Sequence, residues 1–573
     1  PAGWRAGAVA AGWAVVTRHS VPARWKTASL AWLAACAITL LAVPAGQAGE
    51  GGQGGQTAGR SSADPGERIF REGVLPSGAP LVATRDGGMR MEGAAGACVN
   101  CHRRSGLGSK SGLTSIPPIT GRYLFHPPAK SGEDLNIPYV ATMRGDREPY
   151  TDTTLARAIR DGIDAQGRSM SYLMPRFALD DSEMAALIAY LKRLDPRRAP
   201  GVGDGVLHFA TIITPDADPV KRQGMLDVLE HYVAEKNAFP LGVTPPLRSS
   251  RKMMYMVNRQ WQLHVWTLSG PPQTWEAQLE QHMAAEPVFA VVSGLGGKDW
   301  APVSAFCEHA AVPCLFPNVE VPQAGHDDFH ALYFSGGVLL EAGLFAADIA
   351  DAARNHTLKA VHQVYRTDDS GEAGAHALAS ALRGKGIDVS SRALAPGESL
   401  AKALRGIPED DALVLWLRPA DIVTLGKTIP PHTVFMSGLL GGLERAPLPI
   451  GWRGVTHLSY PFDLPERRRV RVDYALGWFA IRHIPVVDEQ VQADTFLACG
   501  LLAETLSHMA DTFVRDYLVE IIEDMVERRV ITGYYPRLTL APGQRFASKG
   551  GYMVHFADAN GTRIVADGDW IVP

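Results

Sequence analysis

The residues of this chain best suited to chemistry form one pentapeptide, Cys98-Val99-Asn100-Cys101-His102. Two thiols at this spacing can both form thioethers with the vinyl groups of a porphyrin, while the adjacent imidazole ligates the iron. The C-x-x-C-H pattern therefore predicts one covalently bound haem c. Cys98 and Cys101 would be the thioether residues, and His102 an axial iron ligand.

Two other sites can use the same residue types, namely a thioredoxin-like redox pair and half of a zinc site. A redox C-x-x-C needs no following His and usually opens a helix after a strand, whereas the residues before Cys98 are Gly-rich and lack a strand pattern. A zinc site would need a second Cys/His pair nearby, yet no cysteine outside the motif lies between Cys36 and Cys307. Both comparisons favour haem.

A haem in an electron carrier needs a sixth iron ligand, and a thioether sulfur favours the ferrous state. Met174 stands in a Met-Pro pair just ahead of a predicted helix that starts at Asp180. Met170 and Met143 are competing sulfur donors, and simple core packing is the alternative role for Met174. Nothing in this block forms an acid/base arrangement for peroxide chemistry, so the sequence favours electron transfer over catalysis.

The helices around the motif resemble those of a class I c-type cytochrome. Gly66 and Phe70 match the Gly and aromatic residue of its first helix, and Tyr190 matches the aromatic residue of its last helix. The resemblance covers residues 66–194 and implies an all-α domain in which these two helices cross.

The loops of the block add two more implied features. In this family a proline carbonyl fixes the proximal histidine, and either Pro117 or Pro118 matches. The family's Met-Pro before the last helix carries the distal ligand, which implies Met174 here. Arg103 and Arg104 directly follow His102. They would pair with haem propionates, face an electron-transfer partner, or form a solvated surface pair.

The chain has 573 residues and a formal net charge of −4, so it is too long for one core and has no general nucleic-acid footprint. Leu30–Val43 is an apolar run behind basic residues, which is typical of a secretory signal. The first twenty residues add little to it, and Val21 is an alternative start. Cys36 lies in a lipobox-like context that would make it a lipid anchor. We therefore expect a periplasmic protein, without a lipid anchor or held to the membrane through Cys36.

Strands and helices alternate from Val206 onward, which predicts a doubly wound α/β region with parallel sheets. Its order of segments resembles a type 1 periplasmic binding protein of the branched-chain amino-acid transporter class. That resemblance implies two lobes with a small ligand held between them. The ligand residues implied by position are Ser293, Gly296, Gly297, Asn318, Asp368, Ser370 and Glu398.

The same alignment of positions departs from the family at the ligand. Hydroxyl residues that grip an amino acid are replaced here by Gly296-Gly297 and by Val319-Glu320. This argues against an amino-acid ligand, although backbone amides could still hold an anion.

Further predictions concern three cysteines outside the motif and one helix in the C-terminal region. Cys307 and Cys314 would form a disulfide in an oxidising periplasm, the alternative being two buried thiols, and Cys499 would stay unpaired. Residues 511–529 are expected to form a helix with a charged surface.

We expect an export signal over residues 1–48, a flexible tether over 49–62, a monohaem cytochrome c domain over 63–195, a linker over 196–205 and a periplasmic ligand-binding-like domain over 206–573. The leading functional hypothesis is an exported electron carrier for a periplasmic dehydrogenase or respiratory partner, whose second domain docks that partner or senses a small molecule. The alternatives are a solute-binding protein of an ABC transporter with an accessory haem domain, and an enzyme that oxidises a ligand held in the cleft.

Overall fold

A computed structural model gives the fold, and it describes residues 64–111, 114–126, 148–194, 199–238, 259–354, 358, 360–509, 512–558 and 560–573. The predicted export signal with Cys36, the tether and Met143 lie outside the described residues. Within the described ranges, no helix combines the length and apolar character needed to cross a membrane.

The described part of the N-terminal block has five α-helices. They are α1 (Pro65–Glu72), α2 (Val99–His102), α3 (Gly121–Phe125), α4 (Asp152–Asp161) and α5 (Asp181–Arg193). Helix α5 begins as the sequence predicts, because Asp180 accepts a hydrogen bond from the Glu183 amide while the Glu183 side chain reaches back to the Asp180 amide.

Helices α1 and α5 cross in close contact. An added Cβ on Gly66 would lie 2.2 Å from the main-chain oxygen of Ala186, so only glycine allows this approach. Beside the crossing, the rings of Phe70 and Tyr190 are 5.3 Å apart between centroids. The three residues that carried the cytochrome resemblance therefore meet at one helix crossing.

The block also contains strands, so the expectation of an all-α domain is not confirmed. Strands β1 (Val82–Thr84), β2 (Arg90–Glu92) and β5 (Arg176–Phe177) form an antiparallel sheet in the order β2-β1-β5. Strands β3 (Ser109–Ser111) and β4 (Thr114–Ile116) form a separate pair. The turn between β1 and β2 contains Gly87 and Gly88 with positive φ, which lets the chain reverse tightly. Pairing of β1 with β5 fixes the chain just after Met174.

The first lobe of the C-terminal region has a seven-stranded parallel sheet. Its elements are β6 (Val206–Ile213), α6 (Pro219–Ala238), β7 (Gln260–Thr267), α7 (Trp275–Ala285), β8 (Ala290–Val292), β9 (Leu295–Gly296), α8 (Ala301–His309), β10 (Cys314–Leu315), β11 (Asn318–Val319) and β12 (Ala331–Leu332). The order is β11-β9-β6-β8-β10-β12, and β7 also pairs with β6.

The second lobe has a seven-stranded mixed sheet in the order β14-β13-β15-β16-β17-β18-β19. Its elements are α9 (Gly337–Arg354), β13 (Ala360–Arg366), α10 (Gly371–Leu382), β14 (Asp388–Leu394), α11 (Leu400–Ala403), β15 (Ala412–Trp416), α12 (Pro419–Ile422), β16 (Thr433–Met436), α13 (Gly438–Gly441), α14 (Ile450–Arg453), β17 (Thr456–Tyr460), β18 (Tyr552–Phe556) and β19 (Ile564–Ala566). The five strands from β14 to β17 in that order pair in parallel, whereas β18 and β19 pair antiparallel. The predicted parallel sheet therefore holds for the first lobe and only for part of the second.

Three helices lie between β17 and β18 in the chain, namely α15 (Pro465–Ile481), α16 (Glu489–Met509) and α17 (Arg515–Met525). Helix α16 packs against α6 of the first lobe and against α17. The prediction of a charged surface for the last of these helices is wrong in one respect. Glu520 and Glu523 of α17 are buried, because the N-terminal block packs on them.

Candidate functional site

The C-x-x-C-H segment is built around one short helix. Cys98 precedes α2 and His102 ends it, with the imidazole buried. The Nδ1 atom of His102 lies 3.0 Å from the carbonyl oxygen of Pro117, so the first of the two candidate prolines makes the contact. Burial lowers the pKa of His102 to about 4, so the imidazole is neutral. A neutral ring that donates from Nδ1 leaves Nε2 as a metal ligand, which fits the axial position of a haem iron.

The two cysteines also fit haem attachment better than the other sites considered. Both are half-buried and carry free thiols. Burial raises the pKa of the Cys98 thiol to about 12, whereas a thioredoxin-like pair needs a lowered pKa. In the described ranges, no group of three or more His, Cys, Asp or Glu side chains could hold a metal ion.

Two of the three methionines proposed as the sixth iron ligand lie among the described residues. Met174 and Met170 are both half-buried and pack against the core of the N-terminal block. The amide of Met174 donates to the Ser171 carbonyl, and its own carbonyl accepts from Arg176 at 2.5 Å. These bonds hold the main chain of the Met174 loop in place. The role of Met174 as the ligand stays a prediction.

The residues that follow His102 are attached to α17 of the C-terminal region. The Arg103 guanidinium is 3.0 Å from the Glu523 carboxylate and also donates to the Glu520 carbonyl. Arg103 has φ 63° and ψ 168°, a region that side chains rarely occupy. Arg104 pairs with Asp516 at 3.2 Å. The two arginines therefore have a role that the sequence did not suggest. They form a contact between domains of the same chain.

Ser105 completes this contact with a buried carboxyl group. The Glu520 side chain accepts from the Ser105 amide at 2.8 Å and from its hydroxyl at 2.6 Å. Burial raises the pKa of Glu520 to about 8, although the Ser105 bonds and the nearby Arg103 act to lower it. Two residues further on, Leu107 is fully buried in a hydrophobic cluster formed mainly by residues of the C-terminal region. The residues that directly follow the C-x-x-C-H segment are therefore part of the domain interface, which sequence reasoning missed.

A chain of charges extends the interface into the first lobe. His330 lies with Nε2 3.0 Å from Asp516 and with Nδ1 3.2 Å from Glu308. Burial acts to raise the pKa of Asp516, but the His330 and Arg104 contacts lower it to about 2. The Asp516 carboxylate is therefore ionised at neutral pH and holds both blocks electrostatically.

A cavity of about 610 Å³ lies between the two lobes, beside loops at the carboxyl ends of their strands. That is where ligands bind in open α/β sheets. Five of the seven predicted ligand residues line it, namely Gly296, Gly297, Asn318, Asp368 and Ser370.

The other two predicted ligand residues do not line the cavity. Ser293 is buried, and its hydroxyl lies 3.1 Å from both the Thr495 hydroxyl and the Asn318 amide nitrogen. The Glu398 carboxylate pairs with Arg392 at 2.7 Å in a loop of the second lobe. Neither position therefore offers a group to a ligand in this cavity.

Two ion pairs join the lobes across the cavity. Lys298 of the first lobe is 3.1 Å from Asp368 of the second. Arg418 of the second lobe is 2.6 Å from Glu320 of the first and 2.6 Å from Asp369. The sequence analysis missed Arg418, because its partners are 98 and 49 residues away in the chain. Together these contacts hold the lobes close.

One of the carboxyl groups that line the cavity is buried. Asp494 of α16 is only 3% exposed, and its Oδ2 accepts a hydrogen bond from the Tyr535 hydroxyl at 3.0 Å. Burial raises the pKa of Asp494 to about 7. Its other oxygen, Oδ1, has no hydrogen-bond partner among the residues that the structure describes.

The cysteines of the C-terminal region fall into two groups. Cys307 of α8 and Cys314 of β10 are joined by a disulfide across the connecting turn. Cys499 is buried in α16 as a free thiol.

Comparison with known proteins gives a family for the N-terminal block. Residues 92–195 match the family model described as Cytochrome c. No curated protein matches the chain.

Solved structures that match the chain are transporter substrate-binding proteins. One is a fatty-acid ABC transporter substrate-binding protein from Thermomonospora curvata, with a TM-score of 0.45 and 13% identity, covering 66% of this chain and 95% of that one. Another is a branched-chain amino-acid ABC transporter protein from Thermus thermophilus with bound valine, with a TM-score of 0.47 and 10% identity, covering 65% and 98%. A third is a leucine-binding protein from Thermotoga maritima, with a TM-score of 0.45 and 11% identity, covering 64% and 99%. Residues 92–195 are similar to cytochrome c, and the α/β region that follows is similar to these substrate-binding proteins.

Proposed function

We propose that this protein is an exported monohaem c-type cytochrome that carries electrons for a periplasmic dehydrogenase or respiratory partner. The observation that carries the proposal is the His102–Pro117 contact at the end of a C-x-x-C-H helix, within the part matched by the Cytochrome c family. The α/β region serves to dock a partner or to sense a small molecule. The disulfide supports an oxidising compartment such as the periplasm.

A haem held here supplies reversible one-electron chemistry at its iron. The protein's own residues set the conditions for that chemistry. Cys98 and Cys101 anchor the group through their sulfur atoms, and the Pro117 carbonyl orients the His102 ring. Met174 presents a thioether from a loop that β5 holds against β1. The contacts of Arg103 with Glu523 and of Ser105 with Glu520 fix the main chain directly after His102, which would hold the haem-binding residues in place.

The test is the ligand set of the purified, haem-loaded chain. We expect one haem per chain and a red-edge charge-transfer band of methionine-ligated ferric haem. Met174→Ala should abolish that band, whereas Met170→Ala, a matched loss of a half-buried methionine four residues earlier, should retain it. A band that survives in Met174→Ala and disappears in Met170→Ala would move the ligand to Met170. The absence of covalent haem would refute the cytochrome proposal.

The interlobe cavity favours a second candidate function, a solute-binding protein with an accessory haem domain. Calorimetry with small solutes on oxidised and reduced protein separates the two. Tight binding that ignores the redox state supports transport, whereas affinity that changes with the redox state supports sensing. Thermodynamic linkage requires the second result to appear also as a shift in haem potential.

A further inference from the structure

The cavity between the lobes carries more acidic than basic side chains. Of its lining residues, seven are Asp or Glu and three are Lys or Arg. Each of the three basic side chains already lies against an acidic side chain. Arg418 lies between Glu320 and Asp369, and Lys298 pairs with Asp368.

The third basic group, Lys221, lies 3.8 Å from Asp488. No lining cation among the described residues is therefore free to receive the carboxylate of a ligand. A ligand with a negative charge would also meet the uncompensated carboxylates, which repel it. The electrostatics of the cavity favour a positively charged ligand.

Asp494 is the residue at which a positively charged ligand would be held. A buried carboxyl oxygen without a hydrogen bond is costly, and such atoms are few in native proteins. Oδ1 of Asp494 is such an atom, in a residue that lines the cavity, while Oδ2 is satisfied by Tyr535. An N–H donor of a bound cation would supply the missing bond and a compensating charge.

Aromatic side chains line the cavity close to this carboxyl group. The Tyr535 ring lies 5.4 Å from the Phe334 ring and 5.6 Å from the Phe462 ring, measured between centroids, and all three residues line the cavity. Such walls take an apolar group and also attract a cation to their faces. The volume of about 610 Å³ lies within the range of small-molecule sites.

We propose that this cavity binds a small organic cation, a protonated amine that bears an apolar group, with Asp494 accepting the hydrogen bond of the ammonium. The proposal rests on the ligand-binding role proposed for the α/β region and is independent of the electron-transfer role. It differs from an amino-acid site, because each lining cation among the described residues already lies against an acidic side chain.

The test uses isothermal calorimetry on the haem-loaded full chain with four probes of similar shape. Benzylamine is the cation, benzyl alcohol the neutral analogue, benzoate the anion and phenylalanine the zwitterion. We expect benzylamine to bind at least about tenfold more tightly than each of the others, since a charge-assisted hydrogen bond to a buried carboxylate is lost in them or opposed. Equal or tighter binding of benzoate or phenylalanine, or no binding of benzylamine, would overturn the proposal.

The variant Asp494→Asn should weaken benzylamine about tenfold to a hundredfold. Glu398→Gln, the same chemical change outside the cavity, should leave the affinity unchanged. Unchanged affinity in Asp494→Asn would also overturn the proposal. The haem spectrum of each sample reports folding of the cytochrome domain separately, so failure of the ligand site and failure of the electron-transfer proposal are distinguishable.

A second measurement needs no variant. Near neutral pH the Asp494 carboxyl is partly protonated, with Tyr535, Gln490, Asp488 and Arg468 as the groups that influence its charge. Binding of an ammonium must expel that proton, up to about half a proton per ligand near pH 7. Calorimetry in buffers of different ionisation enthalpy measures the release. Binding that releases no proton between about pH 6 and 8 would contradict the assignment of Asp494.

Discussion

The buried carboxyl group at the domain interface makes the stability of this protein depend on pH. Glu520 accepts two hydrogen bonds from Ser105, and burial raises its pKa from 4.5 to about 8. The folded protein therefore binds one more proton at this site than the unfolded chain between those pH values. Stability from this group is fully present below about pH 4.5 and is lost as the pH rises towards about 8.

The magnitude follows from proton linkage. One proton of difference changes the free energy of unfolding by about 1.4 kcal/mol per pH unit. Between about pH 5.5 and 7, the Glu520 contribution should fall by about 2 kcal/mol. Glu520→Gln has no titrating group at this position but keeps a carbonyl oxygen for one Ser105 donor. The stability advantage of the wild type over this variant should therefore shrink by about 2 kcal/mol over the same interval.

The assay is urea unfolding of the haem-loaded chain at three pH values between about 5.5 and 7, followed by tryptophan fluorescence. The difference in free energy of unfolding between wild type and variant is free of the contributions of other buried carboxyl groups. Glu341 and Asp494 are two such groups, and burial also raises their pKa values. Glu398→Gln is the control, because hydrogen bonding to Arg392 lowers the pKa of that half-buried carboxyl and leaves it ionised throughout. A difference that stays constant or grows with pH would refute the reasoning about Glu520.

Two further substitutions test the packing of the cytochrome domain. Arg103→Ala should lower the free energy of unfolding by about 2 kcal/mol, because it removes one of two arginine partners of the buried Glu523 and leaves Arg545 in place. Arg90→Ala removes an exposed ion pair and should cost less than about 1 kcal/mol in the same urea titration. Equal losses of unfolding free energy in these two variants would contradict a stabilising contact between Arg103 and Glu523. Gly66→Ala should cost about 2 kcal/mol or more because its Cβ meets the main chain of α5, whereas Gly477→Ala in α15 meets no atom within 4 Å and should stabilise by up to about 1 kcal/mol in thermal unfolding. A tolerated Gly66→Ala would contradict the close crossing.

The features that sequence reasoning predicted are those that depend on neighbouring residues. The capping of α5 at Asp180 uses residues three positions apart, and the C-x-x-C-H pattern uses five consecutive residues. The meeting of α1 and α5 at Gly66 was implied by the family resemblance and is found in the fold. The short strands of the N-terminal block were missed, since runs of two or three residues carry no periodic signal.

The contacts that sequence reasoning missed join residues far apart in the chain. Ser105 and Glu520 are separated by 415 residues, and no local pattern pairs an acidic helix with a particular serine. Residues 511–529 were predicted to form a helix with a charged surface, but acidic side chains can be buried where a packed segment supplies hydrogen-bond donors, as Ser105 does for Glu520. Arg418 and Asp494 escaped notice for a similar reason, because their roles in the cavity depend on which loops the two sheets bring together.

The interlobe cavity and the segment that follows the C-x-x-C-H motif are connected through two adjoining helices. Asp494 lies on α16, Glu520 lies on α17, and these helices pack against each other. If a ligand in the cavity changes the position of α16, the contact at Ser105 is the place where the cytochrome domain would receive the change. Linkage makes the effect measurable in both directions, because a tenfold difference in affinity between oxidised and reduced protein equals a shift of about 59 mV in a one-electron potential. A potential that does not move at saturating ligand would mean that the interface serves as a fixed mounting for the haem peptide, and that the two halves of the chain act independently.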